Sequence, residues 1–307
     1  MSATGSRPRP PCSAVSADAG ESLSATASRI EHWLLVEYAG YWPYDPLDAS
    51  IFAGALREHL AAQLDALPHS RLFLVRVPSF GRDGRVRVVY GATPERGSRF
   101  FALDLDAHAG LLDLDFAAAL HGEASPPGEP LEHPLLVVCT HGKRDACCAR
   151  LGRALCTALD RRANAGWVWQ SSHVGGDRSA GNVVCLPEGL YFGRLDRSGA
   201  EAMLAEYSAG RIALDGYRGR SCHPFPVQAA ELRVREETGL TGFHDVRLAG
   251  RRRLAADAWS IDIVAEVAGD HYRVEVRREL GEETYLTCKA QVPHRARRYV
   301  AQNLERL

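Results

Sequence analysis

The chain has 307 residues, of which 46% are hydrophobic, and its 37 basic and 38 acidic side chains leave a formal net charge of −1. That length and apolar content suffice for a core spread over two domains or lobes, while the balanced charge excludes a global electrostatic footprint for nucleic acid. No apolar run reaches the roughly 20 residues of a membrane helix, and eight cysteines without an apolar secretory leader suggest metal or redox chemistry in a reducing, cytoplasmic setting rather than a disulfide framework.

Residues 1–28, rich in Ser, Ala and Pro, read as a disordered tail. HWLLVEYA at 32–39 predicts a strand, and the spacing of Leu and Ala over 53–66 predicts a helix. Strands follow at 71–77, 85–90 and 100–105, the second set off from the first by the turn-like stretch 81–84. A short helix is expected at 113–121, which completes an N-terminal α/β lobe over 29–121. GEASPPGEPLEHP, with Pro at four of its thirteen positions, marks 122–134 as a linker.

Beyond the linker the pattern predicts a strand at 135–138, a helix at 149–161 and a strand at 167–171. Strands at 183–186 and 190–194 follow, joined by a Pro-Glu-Gly turn, and then a helix at 198–207. A parallel pair with a crossover helix, a hairpin and a covering helix is the layout of a thioredoxin-like half, placed at 135–215. From 216 to 307 the chain predicts a small C-terminal α+β lobe. Its helix runs from Pro224 to Gly239, and strand-like runs lie at 259–267, 272–280 and 285–291. The fold class expected is α+β with α/β character, and no internal repeat of convincing period is visible.

The chemistry concentrates in LLVVCTHGKRDACC at 135–148 and SSHVGGD at 171–177. Strand-like runs deliver Cys139 and His173 to loop positions, and a helix start carries Cys147 and Cys148. Two thiols and an imidazole at the ends of adjacent elements suit a soft metal or an iron–sulfur cluster. Lys143 and Arg144 favour the thiolate form, and spacing alone leaves open which of Cys147 and Cys148 ligates. Gly175 and Gly176 permit positive φ and close backbone approach.

Asp177 reads equally as a hard ligand, as a cap, or as a salt-bridge partner of Arg178. Cys156 and Cys185 read as buried small hydrophobes, and Trp169 and Tyr191 as core. Cys222 and His223, Cys288 in a strand-like run, and Cys12 in the tail lack ligand spacing. Arg251, Arg252, Arg253, Arg295, Arg297 and Arg298 read as a solvated or partner-docking face.

Residues 135–195 resemble the sucrase/ferredoxin-like family, whose core is a thioredoxin-like 2Fe–2S ferredoxin. The resemblance is carried by CTHGKRDACC, by WQSSHVGGDRSAGNVVCLPEGLYFGRL from Trp169, and by YRGRSCHPFPVQAAE from Tyr217, with HWLLVEYAG as the opening strand. It implies a 2Fe–2S cluster held by Cys139, by Cys148 rather than Cys147, and by His173. A second imidazole is implied at position 177, where this chain has Asp, so the fourth ligand is Asp177, Cys147, a water or another group.

The function implied is one-electron transfer, through a cluster near the surface, between a reductase or acceptor partner protein and the chain: a carrier more than a catalyst. The alternatives are a thiol–disulfide oxidoreductase, although a CxxC at a helix start is absent, a redox or cluster sensor, or a zinc site. No carboxylate pair is positioned for glycoside hydrolysis.

Overall fold

The computed structural model describes residues 9–78 and 84–307, so positions 81–83 of the expected turn lie outside the described residues. A seven-residue helix, α1 (Cys12–Asp18), comes first. The first half of the main sheet then runs β1 (His32–Glu37), α2 (Ala55–Ala66), β2 (Ser70–Arg76), β3 (Val86–Ala92), β4 (Arg99–Leu105) and α3 (Phe116–His121). After β5 (Glu129–Pro130) the second half runs β6 (Leu135–Cys139), α4 (Ala146–Asp160), β7 (Val168–Ser171), β8 (Val183–Leu186), β9 (Leu190–Phe192) and α5 (Arg197–Ser208). β10 (Tyr217–Arg220) and α6 (Phe225–Thr238) lead into β11 (Val246–Ala255), β12 (Ala258–Ala265), β13 (Asp270–Thr284) and β14 (His294–Arg306). The fold is α+β, and no helix among the described residues is long and apolar enough to cross a membrane.

β10-β9-β8-β6-β7-β2-β1-β3-β4-β5 is the order of a single ten-stranded sheet. β6 and β7 are parallel, β6 pairs antiparallel with β8, and β8 with β9, which is the thioredoxin-like arrangement. The first half repeats it: β1 and β2 are parallel, β1 pairs antiparallel with β3, and β3 with β4. The two halves meet edge to edge where β2 pairs antiparallel with β7, Val75 opposite Ser171 and Arg76 opposite Gln170. The chain thus contains the same topology twice, although no sequence period betrays it.

Strand alternation sorts the side chains into layers. Trp33, Leu35, Phe73 and Val75 of the first half and Leu135, Val137, Cys139 and Trp169 of the second share one buried layer with Tyr191. Leu34, Val36, Leu72 and Leu74 face the other way, toward Leu56 and Leu60 of α2 and Phe116 of α3. Leu136, Val138, Val183 and Cys185 pack against Leu155 and Leu159 of α4 and Met203 of α5. The N-terminal lobe and the ferredoxin-like segment therefore share a sheet and a core. The 122–134 linker supplies β5, which pairs with β4, and the boundary at 215 falls just before β10, which extends the same sheet.

Residues 9–28, expected from composition to be a disordered tail, are ordered. Cys12, Ala25 and Ala27 are small enough to seat against the core layers, and Gln228 exchanges hydrogen bonds with the backbone of Ala27 at 3.1 and 3.2 Å. The expected 113–121 helix resolves into a 3-10 turn, His108–Asp113, and α3, which Asp115 caps by accepting from Ala118 N at 2.9 Å. The expected strand at 285–291 is instead part of the connection between β13 and β14. The C-terminal sheet has the order β11-β12-β13-β14, and α6 packs Val227, Ala230 and Val234 against its Ile261, Ile263, Val274 and Val276.

Candidate metal centre

β6 ends at Cys139, whose N–H donates to Asn182 O at 3.1 Å and whose successor Thr140 donates to Ser171 O at 3.0 Å. These bonds fix the Cys139 side chain against the end of β7. α4 starts at Ala146, three residues earlier than the apolar spacing suggests, because Asp145 caps it by accepting from Cys147 N at 2.8 Å. Cys147 and Cys148 therefore both stand in the first helical turn. Gly152, one turn on, lets α4 approach β6: a Cβ there would lie 1.9 Å from the Cys139 carbonyl oxygen.

Past β7, Ser172 is pinned to the first half of the sheet, its N–H donating to Leu74 O at 2.8 Å and its hydroxyl accepting from Leu74 N at 3.1 Å. His173 N–H then donates to His141 Nδ1 at 3.3 Å. Gly175 and Gly176 turn the chain with φ of 103° and 87°. The close approach they permit is to the protein itself, since a Cβ on Gly176 would lie 2.4 Å from Arg218 Nη2.

Cys139, Cys148 and His173 converge, their ligand atoms all within 4.8 Å of one another. His173 Nδ1 lies 3.9 Å from Cys139 Sγ and 3.4 Å from Asp177 Oδ1, and Cys148 Sγ lies 3.5 Å from the same Asp177 oxygen. Asp177 thus reaches two members of the trio. Arg178, which composition offers as its partner, pairs with Glu21 instead. Cys147 turns away, 3.3 Å from Cys288 Sγ. The cluster expected near the surface is covered: the exposures are 1% for Cys139, 0% for Cys148, 8% for His173 and 7% for Asp177. α1 packs over the 177–179 turn and forms part of this cover.

The hydrogen bond between them polarises the two thiols. A hydrogen bond from Cys148, reinforced by His173, holds Cys139 well below the usual thiol range even though burial opposes it. That same bond, together with burial, pushes Cys148 up. The Cys148 S–H thus has two acceptors within reach, Cys139 and Asp177. Burial raises Asp177 against the opposite pull of His173. His141 is lowered chiefly by burial; as a neutral ring it accepts from His173 N at Nδ1 and donates from Nε2 to Trp42 O at 3.2 Å.

Arg218 carries a role that spacing does not reveal. Its wholly buried guanidinium donates to Gly175 O at 3.1 Å, Asn182 Oδ1 at 2.9 Å, Thr26 Oγ1 at 3.0 Å and Thr26 O at 2.5 Å. It ties the N-terminal segment to the 173–177 loop. Burial lowers it to about 10, so it remains a cation at neutral pH, with the thiolate character of Cys139 favouring that form.

The sucrase/ferredoxin-like family model matches residues 23–219, more than half the chain, including both halves of the ten-stranded sheet. The chain belongs to the sucrase/ferredoxin-like family. Comparison with curated proteins and with solved structures yields no match. The family match covers buried Cys139, Cys148 and His173, which could hold a metal ion, and Asp177 beside them. It ends before α6 and the C-terminal sheet, and it begins after Cys12.

Cys222 and His223 lie away from this centre. His223 is buried 3.6 Å from Glu95, which also accepts from Leu248 N at 2.7 Å. Burial alone would lower His223, but hydrogen bonds to Cys222 and Glu95 outweigh it and raise the group from 6.5 to about 10. A raised folded-state value stabilises the fold fully below the unfolded value and loses that contribution as pH climbs through the folded one. Stability should therefore fall as pH rises from about 6.5 to about 10. In urea denaturation across that window, His223→Gln is expected to flatten the slope; an unchanged slope would remove His223 as its source.

Proposed function

We propose that the chain is a one-electron carrier whose buried centre is a 2Fe–2S cluster held by Cys139, Cys148, His173 and Asp177. The observation that carries this reading is the convergence of two polarised thiols, an imidazole and a carboxylate at the tips of a thioredoxin-like half. The donor set fits by kind: two soft thiolates for one iron, and a nitrogen and a hard oxygen for the other. When bound, the cluster supplies a single-electron couple.

The chain's own residues set its terms. Cys139, held toward the thiolate, gives up its proton to metal binding more readily than an ordinary thiol. Arg218 places a buried cation on the same side as the thiols, which favours the state with one more negative charge. His173 directs Nδ1 at Cys139 and Asp177, so it would hold the cluster through that side of the ring. The partner is a redox protein, a reductase or an acceptor, approaching over the most exposed of the donors, His173 and Asp177.

The polarised Cys139–Cys148 pair also favours a second reading, thiol–disulfide exchange, in which a low thiol attacks and its neighbour resolves. One experiment separates the two: iron, acid-labile sulfide and the EPR spectrum of anaerobically purified protein, wild type beside Asp177→His. Two irons and two sulfides per chain are expected, with a changed spectrum and a shifted potential in the variant. A colourless protein that stays colourless after reconstitution with iron and sulfide would overturn the carrier reading. An unchanged spectrum in Asp177→His would remove position 177 from the ligand set.

A further inference from the structure

A second group of metal-ligating side chains lies beside the first and is used by none of the chemistry above. Cys12, the first residue of α1, meets Cys147 in the first turn of α4 and Cys288 in the 285–293 connection, with Asp145 among them. The Sγ separations are 3.8 Å for Cys12–Cys147, 3.3 Å for Cys147–Cys288 and 3.5 Å for Cys288–Cys12. A tetrahedral zinc ion with Zn–S bonds of about 2.3 Å would set its thiolates about 3.8 Å apart. The apo triangle is already close to that size.

Asp145 completes the set. It is wholly buried, and its oxygens lie 3.8 and 3.7 Å from Cys12 Sγ. Each oxygen is aimed by a backbone donor, Oδ1 by Cys147 N at 2.8 Å and Oδ2 by Cys288 N at 2.7 Å, which leaves lone pairs toward the thiols. Among the described residues this buried carboxylate is grouped with three thiols and forms no ion pair, whereas a buried charge ordinarily has a partner or a metal. The backbone around the thiols is also held: Arg9 donates to Cys288 O at 3.0 Å and to Ala290 O at 2.9 Å, and Lys289 reaches the Lys143 carbonyl.

We propose that Cys12, Cys147, Cys288 and Asp145 bind one Zn2+ as a closed, four-coordinate structural site. Three thiolates and a carboxylate are a soft, zinc-selecting set, and four protein ligands leave no open position for catalysis. Each thiol gives up its proton as its Zn–S bond forms, so loading releases up to three protons and no electrons. The two centres do not share ligands. Consecutive residues of α4 point about 100° apart, so Cys148 serves the first centre while Cys147 serves the second. The zinc would clip the N-terminal segment and the 285–293 connection onto α4, beside the buried redox centre.

The test is metal content of the full chain, purified under reducing conditions without chelator, for wild type, Cys148→Ser, Cys288→Ser and Cys288→His. One zinc per chain is expected in wild type and in Cys148→Ser. Zinc should be lost in Cys288→Ser, with iron and sulfide retained, and restored in Cys288→His, which keeps a zinc ligand. Added Co2+ should give thiolate-to-cobalt charge-transfer absorption in Cys148→Ser, where the first centre is disabled, and circular dichroism reports whether each variant is folded. The proposal is overturned by wild-type protein without zinc or a cobalt band, by zinc that persists in folded Cys288→Ser, or by a Cys147–Cys288 disulfide in its place. Because iron and sulfide are read separately, failure of the carrier reading leaves this result intact.

Discussion

Replacing Cys148 with serine is expected to abolish the visible absorption of the proposed iron–sulfur centre, while Cys147→Ser leaves it in place. The two residues are adjacent and equally buried, so neither sequence position nor accessibility separates them; direction does. Cys148 Sγ faces Asp177 and hydrogen-bonds to Cys139, whereas Cys147 Sγ faces Cys12 and Cys288. A hydroxyl in place of the Cys148 thiolate is a hard, protonated donor that a ferric cluster holds poorly. Iron and sulfide analysis with the absorption spectrum reads the outcome. A colourless Cys147→Ser beside a coloured Cys148→Ser would reverse the ligand assignment.

Arg218→Met should cost about 3–5 kcal/mol of stability, the scale of a buried charged network stripped of one member. The substitution keeps bulk but takes the guanidinium donors from the half-buried Gly175 and Thr26 carbonyls, the Thr26 hydroxyl and the buried Asn182 amide oxygen. Denaturant midpoints measure this. The same variant removes a cation from beside the thiols, so the reduction potential of the centre should fall. A variant of near wild-type stability would mean that the four acceptors find other donors, and an unchanged potential would mean that the guanidinium charge does not reach the centre.

Much of the second half was legible because its signals are local. Apolar runs bounded by Gly and Pro mark β6 to β9, and the cysteine and histidine positions stand at the strand ends, where topology gathers them. Asp145 before Ala-Cys-Cys is an N-cap signal that would have moved the start of α4 to Ala146. β11 and β14 were hidden by their composition. Their many arginines are exposed or half-buried, Arg306 pairing with Asp270 of β13, so the apolar alternation is weak.

The duplicated topology left no trace because a sheet order constrains layers, not identities. Leu34 and Val36 do in the first half what Leu136 and Val138 do in the second, with no thiol motif to align. The Cys12, Cys147 and Cys288 group was out of reach for a different reason: Cys12 and Cys288 are 276 residues apart, and spacing rules address only near neighbours. Arg218 and Gln228 sit in the quoted YRGRSCHPFPVQAAE segment, yet nothing in that string says that their partners are Thr26 and Ala27.

The 285–293 connection is also a matter of timing. Cys288 follows Cys147 by 141 residues. At roughly 5–20 residues per second, a ribosome needs about 7–28 s to make that much chain. Within that interval α4 and the 173–177 loop are completed, while the segment that packs against Cys12 and Cys147 is still to be made. The proposed zinc site, whose Cys12 and Cys147 are made first, therefore cannot close until the C-terminal segment brings Cys288 to them.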